Sequence, residues 1–489
     1  MRAGTLTLWM ILLAAPMAVA QAEVAEVEND SAAELRAAWQ DMLRSLESGR
    51  DAIDDPALLP PPPTDRNLAE GYRYLMGFFY SAIERSFHNE NRHHPYFRRR
   101  LQPFTRATAD NADAFYLGAP IDGTQSYLIE GRIIGDYRHW KGAVPTSKGP
   151  IAAHYLWFGA HTHLTGDTGS LDELRPDRSA YTGTIDSSEL RVEKDGTFTI
   201  LLAPARPEGF RGNFIATQTS RPVRQPGGSQ APREFTARYV SLREIFNDWE
   251  REEAVEVRIR RVGEGVMQPA PFDPLAAAQQ LRLAGELANN QIRFWNRYWD
   301  EYCEVNGDRN GDGKRFMPLN DLRPPIQASS EMGTAMLTNI YSSGVFELAD
   351  DEALVIEQRT SVPPDYMSFN VNNMWGESAD YANFVSSLNG HQGKPDSDGV
   401  RRYVVAHKDP GVPNWVDTTG LTRGILSVRW AYTNRDERPS ALPSTHVVKV
   451  PFAEIRKHLP SDTPEVSLAE RERTIRIRQD HVQRRYRQY

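Results

Sequence analysis

From Leu275 to about Tyr302 the chain carries one helical period with two apolar stripes. Leu281, Ala284, Ala288, Ile292, Trp295 and Trp299 fall on one, and Leu283, Leu287, Phe294 and Tyr298 on another. Asp273 and Pro274 supply the N-cap and the first helical position. A helix apolar on two sides leaves little surface for water, so the chain on either side of it must cover it. Both flanks read as strands. The expected architecture is therefore mainly β (α+β). It has a first β-sandwich domain over 106–265, a linking helix over 266–305 and a second β-sandwich or jelly-roll domain over 306–468.

The strand signals are short alternating runs between turn residues. In the first block they cover 115–117, 126–134, 154–158, 189–192, 197–202 and 255–259, with Lys194-Asp195-Gly196 as a turn and a helix expected over 242–249. Pro222 to Pro232, rich in Pro, Gly, Ser and Gln, reads as a mobile loop. In the second block the runs are 335–340, 354–357, 366–373, 403–407, 425–432 and 446–450. Before these blocks lies a helical region, 23–105. Ser31 and Glu34 form a capping box ahead of Leu35, Trp39, Met42, Leu43 and Leu46, Pro60 to Pro63 makes a stiff spacer, and Leu68, Tyr72, Leu75, Met76, Phe79 and Ile83 mark a second helix. The basic run His93 to Arg100 reads as a solvated or acid-paired face. An Arg-rich surface helix, 469–489, closes the chain, with Ile475, Val482 and Tyr486 able to dock.

Arg2, the apolar run Leu6 to Val19 and the small residues around Ala20 to Ala22 read as a secretory signal over 1–22. That apolar run is shorter than the ~20 residues that span a bilayer. The expected product is periplasmic or secreted, with no transmembrane segment once the signal is cleaved. Cys303 is the only cysteine, so no intramolecular disulfide forms, and its aromatic neighbours Trp295, Trp299 and Tyr302 predict a core thiol. A net charge of −8, from 57 basic and 65 acidic residues, argues against nucleic acid as a partner.

One metal signal is partial. Asp308, Asn310 and Asp312, with Gly311 and Gly313, match the first half of a calcium loop. Position twelve is Leu319 rather than a bidentate Glu, and Pro318, Pro324 and Pro325 prevent an exiting helix. Calcium is therefore a weak expectation and no other cofactor is expected. His154, His161 and His163 invite a metal reading, but spacing fixes no further ligand.

The densest functional signal lies between Tyr366 and Trp430, in three loop-like patches: Asn372 to Ser378, Ser387 to Gln392 and Pro413 to Asp417. Trp375 and Trp415 offer flat faces for a sugar ring or an apolar ligand, and Asn389 and Gln392 could orient it. His391 with Asp417 or Glu377 would make an acid/base pair if the loops converge. No Gly-x-Ser-x-Gly elbow, His-Glu-x-x-His, Walker loop, Gly-x-Gly-x-x-Gly or paired Cys occurs, so the common hydrolase, zincin and nucleotide readings lack support.

Several of these runs recur together in a known family. Glu352 to Glu357, Met374 to Ser378, Ser387 to Gln392, His407 to Thr418 and Arg429-Trp430 resemble the uncharacterised bacterial family called domain of unknown function 1214. His94 to Phe97, Asp110 to Asp113 with Tyr116-Leu117, and Asp248-Trp249 are similar to the N-terminal parts of those proteins and of domain of unknown function 1254. The chain departs from the pattern near Leu421, where a His is expected. The resemblance implies a β-sandwich or jelly-roll architecture and brings no activity. Two functions follow as expectations. One is an exported protein binding a carbohydrate or small apolar ligand through loops of the C-terminal β domain. The other is an exported hydrolase or lyase using His391 with Asp417 or Glu377.

Overall fold

The computed structural model describes residues 11–55, 64–89, 92–101, 103–146, 148–175, 177–224, 228–263, 272–308, 311–327, 338–433 and 440–487. The protein is mostly β, with antiparallel sheets in two groups and helices around and between them.

The first group has a five-stranded sheet in the spatial order Arg98–Leu101, Ala114–Pro120, Tyr239–Ile245, Tyr155–His161, Tyr181–Asp186. A four-stranded sheet follows the order Glu256–Arg261, Tyr127–Arg132, Thr197–Ala203, Asn213–Ala216. Alternate residues of the first sheet, Phe115, Leu117, Val240 and Leu242, share an apolar cluster with Ile129, Phe198, Ile200 and Ile259 of the second. This is the period-two burial that strands impose. Tyr116, Ser241, Arg243 and Trp157 consequently point to the other face of the five-stranded sheet.

The second group repeats the plan. Its five-stranded sheet runs Ile326–Gln327, Asn339–Glu347, Arg423–Ala431, Tyr366–Asn372, Ser387–Asn389, and its four-stranded sheet Trp415–Asp417, Arg401–Ala406, Glu352–Arg359, Ser444–Pro451. Phe369, Val371, Leu426 and Val428 meet Leu354, Ile356, Tyr403 and Val405 in one cluster.

Four α-helices complete the described chain: α1 (Ile11–Asp54), α2 (Asp65–Ile83), α3 (Pro274–Arg297) and α4 (Leu468–Arg487). The Asp273 carboxylate caps α3 by accepting from the Leu275 amide at 3.0 Å. Both apolar stripes of α3 are covered. Ile292, Trp295 and Trp299 pack with Ile53, Tyr74 and Trp375, while Leu287 and Ala288 pack with Ala82, Leu46 and Phe79. Asn290 and Gln291 donate to the carbonyls of Asp167 and Thr165 in the first group. No described helix is long and apolar enough to cross a membrane.

Several expectations need correction. The segment 242–249 is not helical, because Tyr239–Ile245 is the central strand between Ala114–Pro120 and Tyr155–His161 and its alternation is that of a strand. Pro222 to Pro232 is largely a hairpin in which Gln218–Arg224 pairs with Gln230–Thr236, Pro222 opposite Pro232. Residues 189–192 form no strand. Ser31 lies within α1 rather than at its start, and Trp39 and Leu43 are exposed while Ala38 and Met42 are buried. The Pro60 to Pro63 spacer lies outside the described residues. Cys303 is buried, and burial pushes its thiol up to about 12, which makes it inert.

The last helix differs most from a surface helix. Arg478, His481 and Arg485 are almost fully buried in α4, beside Val482 and Tyr486. Arg478 donates to the carbonyls of Tyr381 and Ser387, Arg485 donates to that of Ala112 at 2.8 Å, and both guanidiniums lie over the Trp249 ring. The helix therefore ties the two sheet groups together.

Candidate functional site

The Tyr366 to Trp430 stretch faces the first sheet group through a buried polar seam. Asp113, fully buried, accepts from Trp249 Nε1 at 3.0 Å, Asn389 Nδ2 at 2.8 Å and the Tyr366 hydroxyl at 2.6 Å. Asp110 accepts from the amide and hydroxyl of Ser378 at 2.9 and 2.7 Å. Burial raises the pKa of both carboxyls, against the pull of these donors. The Asp110 to Asp113 run and Trp249 are thus parts of the joint between the sheet groups.

That seam absorbs several residues expected to meet a ligand. Trp375 is 1% exposed, its ring packs at 6.0 Å from that of Tyr74, and its Nε1 donates to the Asn67 carbonyl. It is a core plug between α2 and the second sheet group. Asn389 is fully buried, and its Oδ1 accepts from the amides of His391 and Gln392 at 3.0 Å. Gln392 accepts from Arg478 Nη2 at 3.3 Å. Trp415 is half-buried, donates to the Ala406 carbonyl and carries Arg471 over its ring at 5.2 Å.

The expected acid/base group is not assembled. Glu377 is buried, bonded to Arg73 at 2.8 Å and to Asn373 Nδ2 at 2.7 Å, and its pKa is raised by burial. Asp417 accepts from the Thr419 amide at 2.7 Å. His391 meets neither; its ion-pair partner is Asp248, with Nε2 3.8 Å from Oδ1 and the ring about half exposed.

The metal candidates are likewise occupied by protein. Both Asp308 oxygens accept backbone amides, those of Gly311 at 2.7 Å and Gly313 at 2.8 Å, and Asp312 accepts from Lys314. Asn310 lies outside the described residues. His154 bonds to the Asp365 carbonyl, His161 to the His163 carbonyl, and His163 faces Glu173 at 3.2 Å. Among the described residues no group of three ligand-type side chains could hold a metal ion.

A different surface gathers unlike chemistry: the outer face of the first five-stranded sheet. Register places Arg243 directly between Tyr116 and Trp157. Its guanidinium lies 5.7 Å from the Tyr116 centroid and 5.4 Å from that of Trp157, a cation–π arrangement. The next row is Gly118, Ser241, Gly159. A Cβ on Gly118 would stand 2.7 Å from Arg100 Cδ, and one on Gly159 2.2 Å from the Trp157 ring. The two glycines let Arg100 and the indole lie flat across the sheet. Tyr181 stands edge-on to Trp157 at 5.2 Å. Tyr116, Tyr181, Arg100 and Arg243 remain half-buried, as does Tyr341 of the second sheet group, whose hydroxyl acts electrostatically on Arg243.

Arg100 is held in place by a relay. His161 Nδ1 lies 2.8 Å from the His163 carbonyl, which can only accept, so Nδ1 carries the proton. Nε2 then accepts from the Ser241 hydroxyl at 2.7 Å, and Ser241 Oγ accepts from Arg100 Nη1 at 3.0 Å. Burial and then the Arg100 charge push the imidazole down to about 3. So weak a base does not activate a serine at neutral pH, and the Ser241–His161 pair orients a guanidinium rather than making a nucleophile. Within the basic run that ends at Arg100, His93 and His94 are exposed, while Arg98 is buried and pairs with Glu84 at 3.1 Å, in line with the acid-paired alternative.

Sequence reasoning missed this site because its residues come from all five strands of the first sheet, one of which reads as a helix. The available signal was the alternation Tyr239, Ser241, Arg243 against Val240, Leu242, Glu244.

No family model matches the chain, and no curated protein matches it in sequence. Among solved structures, the chain is similar to an uncharacterised protein from Burkholderia cenocepacia, with a TM-score of 0.67 and 24% identity over 86% of this chain and 99% of that one. The VPA0106 protein from Vibrio parahaemolyticus matches with a TM-score of 0.37 and 11% identity over 83% of this chain and 100% of that one, and no argument is built on it. The Burkholderia cenocepacia protein shares the fold.

Proposed function

We propose that the protein is an exported ligand-binding protein, built from two β-sandwich or jelly-roll-like units of the domain of unknown function 1214 type. Its ligand is a small organic acid with a flat or apolar body. The observation that carries this reading is Arg243 set between the rings of Tyr116 and Trp157 on a half-buried face. A guanidinium recognises a carboxylate by paired N–H donors, and flat rings accept an apolar body at little entropic cost. The carbohydrate reading centred on Trp375 and Trp415 draws less support, because one ring is buried in the core and the other is covered by Arg471.

The test is calorimetry and thermal shift of the purified protein against aromatic and aliphatic carboxylates, each paired with its neutral amide, with neutral sugars alongside. Carboxylates should raise the melting temperature and bind, amides should not, and Arg243→Gln should abolish the response. A response to neutral sugars lost in Trp415→Ala would overturn this reading in favour of the C-terminal loops. A second reading, an exported hydrolase or lyase, rests on the approach of His391 to Asp248 at 3.8 Å. It requires turnover that His391→Ala removes.

A further inference from the structure

Beside Arg100, on the same face of the five-stranded sheet as Arg243 but further along the strand at Ser241 and Tyr239, the sheet and the turn after α2 line a small cavity. Its lining includes Arg85, Arg98, Arg100, Leu164, Tyr239 and Ser241. The space open to the centre of a water-sized sphere is about 10 Å³, enough for one particle of roughly that size and too little for a phosphate.

The charges around it do not balance. Arg85 meets Asp167 with two N–H groups at 2.8 Å, and Arg98 meets Glu84 at 3.1 Å. Glu173 takes the amides of Gly166 and Thr168 and faces His163. Among the described residues no carboxylate reaches Arg100, whose bond goes to the Ser241 hydroxyl. Burial and the neighbouring Arg243 and Arg98 push its guanidinium down to about 10, the mark of cations crowded away from water. A second observation points the same way. Arg85, which lines the cavity, is 6% exposed, and its Nε has no hydrogen-bond partner.

The hydroxyls in the wall are already committed. Ser241 gives its proton to His161, and the Tyr239 oxygen accepts from Arg85 Nη2 at 3.3 Å. The polar groups free to face the cavity are therefore guanidinium N–H donors. A half-buried guanidinium crowded by other cations is destabilising unless a counter-charge sits beside it. A water molecule of this size would supply no charge.

We propose that this cavity is a halide site, in which one chloride ion is held by the Arg85 and Arg100 guanidiniums and completes the charge balance of the first sheet group. The ion lies at the Ser241 and Tyr239 positions of the strand and Arg243 two residues further along the same face, so the inference does not rest on the organic-acid reading.

The experiment is thermal unfolding of the full chain in sodium chloride, sodium bromide and sodium gluconate at matched ionic strength. The melting temperature should climb with the logarithm of halide concentration and stay flat in gluconate. Arg100→Gln should remove the halide dependence, while Arg243→Gln, which tests the organic-acid face, should keep it. Bromide-soaked crystals of the wild-type protein give an independent readout, with an anomalous peak expected between the two guanidiniums. Superimposable chloride and gluconate curves, or an anomalous map with water only in the cavity, would overturn the proposal even if Arg100→Gln fails to fold.

Discussion

Asp113 takes its donors from three distant parts of the chain: Trp249, Tyr366 and Asn389. Removing the carboxylate strands an indole N–H, a phenol and an amide in a water-free seam. Asp113→Ala should therefore lose about 3–5 kcal/mol, read from urea unfolding. Glu244 makes a different prediction. It lies fully buried in the first group, bonded to the Val255 amide, and burial pushes its carboxyl up to about 8. The folded state keeps that proton between the ordinary value of 4.5 and about 8, while the unfolded chain has lost it. Stability from this group is complete below 4.5 and declines as pH rises through about 8. Glu244→Gln should thus raise the melting temperature at pH 8 and change it little at pH 4.5.

The same scale explains what was legible in the composition of the patches. Trp, Asn, His and carboxylates in loops mark a place where polar groups are fixed precisely, and Asn389 and Glu377 are so fixed. Composition does not separate a polar group fixed for a ligand from one fixed for another domain. Burial decides that, and burial depends on what the rest of the chain brings to the loop.

At the scale of elements, α3 was the most readable because its caps and both stripes are local properties of thirty consecutive residues. The strand Tyr239–Ile245 was misread because the apolar residues after it, Phe246 and Trp249, extend its pattern toward a helical one. Only pairing with neighbours on both sides establishes it as a strand. For α4, the abundance of arginine suggested water, whereas carbonyl groups and the Trp249 ring accept two of those guanidiniums. A chain shortened to end before Leu468 should expose Phe246 and Trp249, on which His481 and Arg485 pack. Red-shifted tryptophan emission and faster limited proteolysis near residue 249 are the expected signs, with a loss of several degrees in melting temperature.

For the whole molecule, the histidines set the acid limit. Burial lowers His154 to about 4 and His161 to about 3 from an ordinary 6.5. Between those values the unfolded chain binds protons that the folded one refuses, so stability drops as pH falls from 6.5 through about 4 and on toward 3. Melting temperatures recorded from pH 7 to pH 4 should trace this fall, and His154→Asn should make it shallower. The two groups of strands, the helix between them and the positions of some of the strands were visible from periodicity. The way the groups meet was not, since Asp113 and its partners are separated by up to 276 positions.

The position of α4 in the chain also has a bearing on time. Chains emerge from the ribosome, and from an export channel, with the N-terminal side leading, and domains fold as units in that order. The first sheet group contains Asp113 and Trp249, yet the guanidiniums that lie over Trp249 and bond to Ala112 belong to residues 478 and 485. Until that stretch arrives, the earlier half must wait with an open flank, and whatever shields nascent chains in its compartment has a defined patch to guard.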